Sequence, residues 1–273
     1  MSMDISKGIF WEKGVTLVPG CTKVSAGCLN CWSEALGKRL PTHPNREHCD
    51  IGGHFTGQVG WRLDLLKKAL KGKKEKVLAV WNDFYHAGIT LWQRDEAINL
   101  IMESSKTAII CTKRPYEAVA YWSGRAAASQ CEPYIARLKS RIFHLVTVEN
   151  QEMARTRIPD ALQIPGNVGL LLEPLLGPVD ISSYIPSPDG FVASENGPVH
   201  IDDGAQYIHA CILGAESGPN RRPMEIEWAE SIVAQCREAG IPVFVKALSI
   251  GGKVEKDINK FPESLRVREL PWR

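Results

Sequence analysis

The chain has 273 residues, enough for one large domain or two small ones. Its 44% hydrophobic and 23% charged residues are ordinary globular proportions and exclude wholesale disorder. The 33 Lys+Arg against 31 Asp+Glu leave a formal charge of +2, so any nucleic-acid partner must meet a local patch rather than a uniformly basic surface.

In chain order, a first short apolar run leads into a glycine-rich loop, residues 18–32, carrying Cys21, Cys28 and Cys31. A helical pattern follows, then an irregular stretch, residues 43–61, with His43, His48, Cys49 and His54. Beyond it a rhythm begins, in which short, nearly continuous apolar runs are followed by helical patterns. The run 77–81 precedes a helix over 91–105, with Ala97, Ile98, Ile101 and Met102 on one face. The run 107–111 precedes a helix starting near Tyr116, the run 142–148 precedes a helix over 151–162, and the run 168–172 comes next. Turn-forming residues crowd segment 182–206, which is expected to be an insertion of the kind that forms lids or binding loops. The run 208–213 precedes a helix from about 225 to 239, where Gly240 suits a C-terminal cap and Pro242 follows. A last run, 242–245, closes the series. No run reaches the length of a membrane span, and the opening MSMDISKGIFWEKG lacks a signal-peptide core. A cytoplasmic protein with no membrane partner is expected.

Near-continuous apolar strands alternating with helices predict an α/β fold with a parallel sheet covered by helices. The strand ends are polar: Asn82 and Asp83, Thr112 and Lys113, Glu149 and Asn150, Glu173, Glu216 and Ser217, and Lys246. One polar strand end is only what loops look like. Six of them favour a single (β/α) barrel, complete or partial, over residues 1–273, with a functional rim where the carboxyl ends converge.

The chain has eight cysteines and no export signal, so reduced thiols are expected. Cys111, Cys211 and Cys236 fall in apolar or helical patterns and suit the core. Cys21, Cys28 and Cys31 form C-x6-C-x2-C, and thiolates suit zinc or iron–sulfur clusters. Structural zinc takes four protein ligands, so a zinc site here needs completion by His48, Cys49 or His54. Three thiolates suit a four-iron cluster with one iron open to a small molecule. A loop without metal is the third alternative, and spacing leaves all three open.

The neighbouring motifs are GCTKVSAGCLNCWSE (20–34), NDFYH (82–86), TKRP (112–115), VTVENQE (146–152), EPLLGPVDI (173–181), GAESGPNRRPM (214–224) and PVFVK (242–246). In this order they resemble the phage-associated three-cysteine-motif family, which is radical-SAM-like, with departures at Ala26, Trp32, Asn82 and Ala247-Leu248. The resemblance implies a barrel of the radical SAM type with a 4Fe-4S cluster on Cys21, Cys28 and Cys31. S-adenosyl-L-methionine would be the cofactor, cleaved to a 5′-deoxyadenosyl radical. An electron donor and a separately encoded three-Cys-motif partner protein are implied as partners. Asp83-Phe84-Tyr85, Thr112-Lys113 and Val146-Thr147-Val148 also look like spore photoproduct lyase, a DNA-repair enzyme. By that likeness Lys113 and Thr147 meet the methionyl carboxylate, Asn82 or Asp83 the amino group, and Glu149 or Asn150 the ribose. Tyr85, Glu173, Glu216 and Lys246 are rim candidates for catalysis.

For the substrate, a nucleic-acid base or nucleotide is the leading expectation. The Lys67–Lys76 run and Arg221-Arg222 are candidate phosphate contacts, although a lysine run is commonly a solvated helix end. Trp61, Trp81, Trp92 and Trp122 are candidate stacking groups that equally suit a core. Two alternatives stand beside this: a zinc-stabilised module binding nucleic acid or protein, and a radical SAM enzyme acting on a peptide or small metabolite.

Overall fold

The computed structural model describes residues 4–125, 132–194, 197–218 and 220–272. The apolar runs pair into one sheet of β1 (Lys13–Val15), β2 (Val77–Val80), β3 (Thr107–Thr112), β4 (Ile142–Thr147), β5 (Asn167–Leu172), β8 (Cys211–Gly214), β9 (Val243–Ile250) and β10 (Lys253–Glu255). Neighbours follow chain order and are parallel, except for the antiparallel β9–β10 hairpin. Parallel neighbours taken in order need crossovers of one hand, which send the helices that cover the sheet to the same face. The sheet therefore curls into a half-barrel rather than a doubly wound sheet.

The helices are α1 (Trp32–Arg39), α2 (Leu63–Leu70), α3 (Leu91–Glu103), α4 (Pro115–Ser123), α5 (Glu132–Arg141), α6 (Gln151–Ala161) and α7 (Ile226–Glu238). Each strand alternates between two apolar layers, so runs that look uniform in sequence serve both faces. Ile109, Phe143, Leu145, Ile212 and Phe244 fill the concave side, while Leu78, Ile110, Val146, Leu170 and Leu213 pack under the helices. The α3 N-terminus carries a capping box, Thr90 with Gln93, which fixes where that helix begins.

The 182–206 segment stands where a helix would cross from β5 to β8. It forms short turns and a hairpin of β6 (Phe191–Val192) and β7 (Val199–His200), and just ahead of it the Ile181 N–H donates to Gln235 of α7 at 2.7 Å. Buried Ile185, with Ile181 just ahead of it, packs this stretch into the outer layer, and none of its described residues borders the main cavity. Among the described residues no helix is long and apolar enough to cross a membrane.

Between β1 and β9 the open side is filled by the two chain ends. Phe10 packs against Trp11, Phe244 and Trp272, and Trp272 against Phe143. Arg268 ties them together: its guanidinium donates to the carbonyls of Ile5, Ser6, Val245, Lys246 and Lys256. Five donors meet five acceptors, which matches the full donor set of the group. Arg268→Ala should lower stability by about 1–3 kcal/mol. In urea titrations the midpoint should fall at constant m, with Arg268→Lys recovering only part. An unchanged midpoint would show that the fastening carries no weight.

Candidate thiol site at the mouth of the half-barrel

A cavity of about 600 Å³ opens at the carboxyl ends of the strands, and Cys21, Cys28 and Cys31 all border it. The end of β3 brings Cys111, Thr112 and Lys113 to it, and Thr147, Glu173 and Lys246 reach the same space from the neighbouring strands. The convergence of polar strand ends expected from sequence is thus realised for these residues.

Four polar contacts hold the cysteine loop. The first is a buried ion pair. Asp83 (4% exposed) accepts from Arg114 (3% exposed) at 2.6 Å and from the Thr112 hydroxyl at 2.6 Å, the Lys113 N–H at 3.1 Å and the Tyr85 N–H at 3.2 Å. Arg114 in turn donates to the Thr22 carbonyl at 3.0 Å, to the Thr22 hydroxyl, and to the Cys21 sulfur at 3.7 Å. Asp83 therefore acts on the first cysteine through Arg114.

The second is an amide cluster. Asn82, at φ 62°, donates to the Val18 carbonyl at 2.7 Å and to Asn45 at 2.9 Å, and accepts from Ser33. Fully buried Asn45 receives the Gly20 N–H at 3.2 Å and donates to the Ser33 carbonyl at 2.9 Å. In the third, Glu149 accepts from the Ser25 hydroxyl at 2.6 Å and from Arg157 at 3.0 Å, with the Lys113 ammonium 3.5 Å away. Gly27 lies so close that a Cβ there would stand 2.4 Å from the Glu149 carboxylate. In the fourth, Glu216 accepts from Arg222 at 2.9 Å and from Asn30 at 3.0 Å, while Arg222 reaches the Ala26 carbonyl at 2.9 Å.

These contacts assign several sequence candidates to loop positioning. Asn82, Asp83, Lys113, Thr147, Glu173 and Lys246 border the cavity; Tyr85, Glu149, Asn150 and Glu216 do not. Asn150 caps α6, accepting from the Met153 N–H at 3.0 Å. Tyr85 is buried under the helices, where its hydroxyl meets His144 Nε2 at 2.7 Å and accepts from Trp122 at 3.0 Å. As a rim candidate it is corrected, because the turn after Asp83 directs it to the helix side. Lys246 donates to both Glu173 oxygens at 2.6 and 2.7 Å on the cavity wall.

Burial pushes the Cys21 thiol up to about 12, with Asp83 adding to it and Arg114 opposing. Burial also raises Cys31, against the pull of the Glu34 and Ser33 amides. The proposed zinc partners stand elsewhere. Cys49 donates to the Asn45 carbonyl, His54 faces Glu34 at 3.4 Å, and His48 packs on Gly20 and Gly60. None of the three borders the cavity, and among the described residues no three His, Cys, Asp or Glu groups are arranged to hold one metal ion.

Sequence reasoning missed Arg114 and Asn45 as organisers of the site. Arg114 adjoins Lys113 in TKRP, and pattern does not tell which adjacent cation turns to Asp83. Nothing in the irregular 43–61 stretch distinguishes Asn45.

Fold and site together define an α/β half-barrel whose carboxyl-end cavity is bordered by four thiols, Cys21, Cys28 and Cys31 of the loop and Cys111 of β3. The chain belongs to a family described as a protein of unknown function, DUF5131, whose model matches residues 7–270. No curated protein and no solved structure matches it.

Removing the Arg114 guanidinium leaves Asp83 buried without a cation, a loss of about 3–5 kcal/mol. Arg114→Ala should therefore fold weakly and expose Cys21 to faster thiol labelling; labelling at the wild-type rate would contradict the clamp. Burial also drives His144 down from 6.5 to about 3. Below 6.5 the unfolded chain takes up a proton that the folded chain refuses, so stability is full above that pH and falls as pH drops toward 3. His144→Gln should flatten this part of the stability–pH curve measured by urea unfolding. An unaltered slope would place the acid sensitivity in other groups.

Proposed function

We propose that this protein is an iron–sulfur enzyme of the radical SAM type. The observation that supports it most is the shared cavity of Cys21, Cys28 and Cys31 at the carboxyl ends of the strands, with His48, Cys49 and His54 outside it. Cys111, the cavity's fourth thiol, is buried in the apolar concave core at the end of β3, so the loop itself offers three thiols, a set that suits a 4Fe-4S cluster better than structural zinc. Bound there, a cluster with S-adenosyl-L-methionine supplies reductive cleavage to a 5′-deoxyadenosyl radical.

The chain's own residues then orient and enclose. Cys21, Cys28 and Cys31 are the ligands, deprotonated on binding as metal ligation requires. Asp83, through Arg114, fixes Cys21, while Glu149 and Glu216 hold the loop between Ser25 and Asn30. Lys113 and Thr147 border the cavity and suit a carboxylate, the first by charge and the second by its hydroxyl. Asn82 and Asp83, already engaged in the protein's own network, serve as positioning residues in place of an amino-group site. The apolar concave core beneath excludes water from the floor. A low-potential electron donor is the partner this chemistry requires.

The test is anaerobic reconstitution with iron and sulfide, then dithionite reduction with S-adenosyl-L-methionine and assay for 5′-deoxyadenosine. Cleavage should appear in the wild type and fall to background in Cys28→Ala. Stoichiometric zinc with neither cluster nor cleavage would sink the enzyme and leave a zinc-stabilised binding module.

A further inference from the structure

The positive charge that the sequence spreads evenly is gathered at the cavity. Its lining holds five cations and two carboxylates, in a chain whose totals nearly cancel. Both carboxylates are engaged, Asp83 by Arg114 and Glu173 by Lys246. Two of the remaining cations, Arg39 and Lys256, are exposed and form no ion pair among the described residues. By contrast, Lys71, Lys73, Lys74 and Lys76 lead into the start of β2, at the opposite end of the half-barrel. Arg222 is bound to Glu216, and Arg221 to the Gly218 and Gly252 carbonyls. The basic groups most conspicuous in the sequence are thus not those at the site.

Beside the two unpaired cations stands a wall of indoles. Trp32, 42% exposed at the mouth, meets Trp81 edge-on at 5.2 Å, and Trp81 meets Trp11 edge-on at 4.8 Å. The Lys246 ammonium lies 5.7 Å from the Trp11 ring centre. All three indoles border the cavity. Gly14 makes room for them, since a Cβ there would fall 2.1 Å from Trp81 Nε1.

We propose that this mouth receives an unpaired nucleotide of a nucleic-acid strand, its base against Trp32 and its flanking phosphates at Arg39 and Lys256. The inference rests on the preceding reading only in taking that nucleotide as the substrate. An exposed indole, Trp32, backed by two half-buried ones at a mouth with unpaired cations is the combination that single strands use, because every base offers a stacking face and every linkage a charge. An acidic peptide would satisfy the cations and leave the indoles without a role. A duplex keeps its bases stacked away from a concave pocket, so the strand must be single or the base extruded.

The test is fluorescence anisotropy with short labelled single strands of DNA and RNA, and with the matching duplex, on the reconstituted full chain. Single strands should bind more tightly than duplex. Trp32→Ala should weaken binding by about 5- to 100-fold, and Trp32→Phe should restore much of it. Arg39→Ala and Lys256→Ala should each weaken binding across sequences and lower the salt slope by about one. Circular dichroism checks that the variants fold. Equal affinity for duplex, or full displacement by a mononucleotide or by inorganic polyphosphate, would overturn the strand assignment. So would losses confined to Lys71→Ala and Lys74→Ala. Cluster absorbance is read on the same samples. A protein that assembles its cluster but binds no strand sinks this inference alone. A protein that binds strands through Trp32, Arg39 and Lys256 but assembles no cluster supports it and sinks the radical chemistry.

Discussion

The buried pair of Asp83 and Arg114 is the contact on which the site depends. Two charges removed from water are tolerated because each has further partners: Thr112 and two backbone N–H groups on Asp83, Thr22 and Cys21 on Arg114. Satisfied in this way, the pair joins three pieces of chain at one point: the segment after β2, the start of α4 and the cysteine loop. Such a pair adds little net stability over apolar packing, but losing one partner is costly. It is a specificity device, fixing where Cys21 stands.

The other contacts repeat this pattern. Glu149 and Glu216 both follow strand ends, and both reach the loop, one at Ser25 and the other at Asn30, each backed by an arginine. Between Cys21 and Cys31 the loop's apolar side chains, Val24 and Leu29, stay exposed, so its position there comes from polar neighbours. Gly27 completes the fit, since any side chain there would displace the Glu149 carboxylate. These two acidic strand ends thereby hold the loop, and the cavity wall carries Asp83, Lys113, Thr147 and the Glu173–Lys246 pair.

The half-barrel's incompleteness is equally useful. A sheet closed on itself would fill its interior with side chains, whereas here the open side admits the two chain ends, fastened by Arg268. The same opening lets Trp11 and Trp81 lie across the upper layer and leaves Trp32 exposed above them. Floor and mouth therefore differ in kind, one dry and apolar, the other aromatic and cationic.

The sequence by itself determined the alternation of strands and helices, the parallel sheet and the set of polar strand ends, because period and local composition are properties of neighbouring residues. It also singled out Cys21, Cys28 and Cys31 by their spacing. It did not decide which polar residue meets which. Arg114 rather than Lys113 pairs with Asp83, Asn45 anchors the loop from an unpatterned stretch, Tyr85 turns into the core, and the insertion packs against the outer layer. Those outcomes depend on distances between segments far apart in the chain, such as the 196 positions between Ala26 and Arg222. Only the curling of the sheet sets such distances, and with them which charges are buried together and which remain at the mouth.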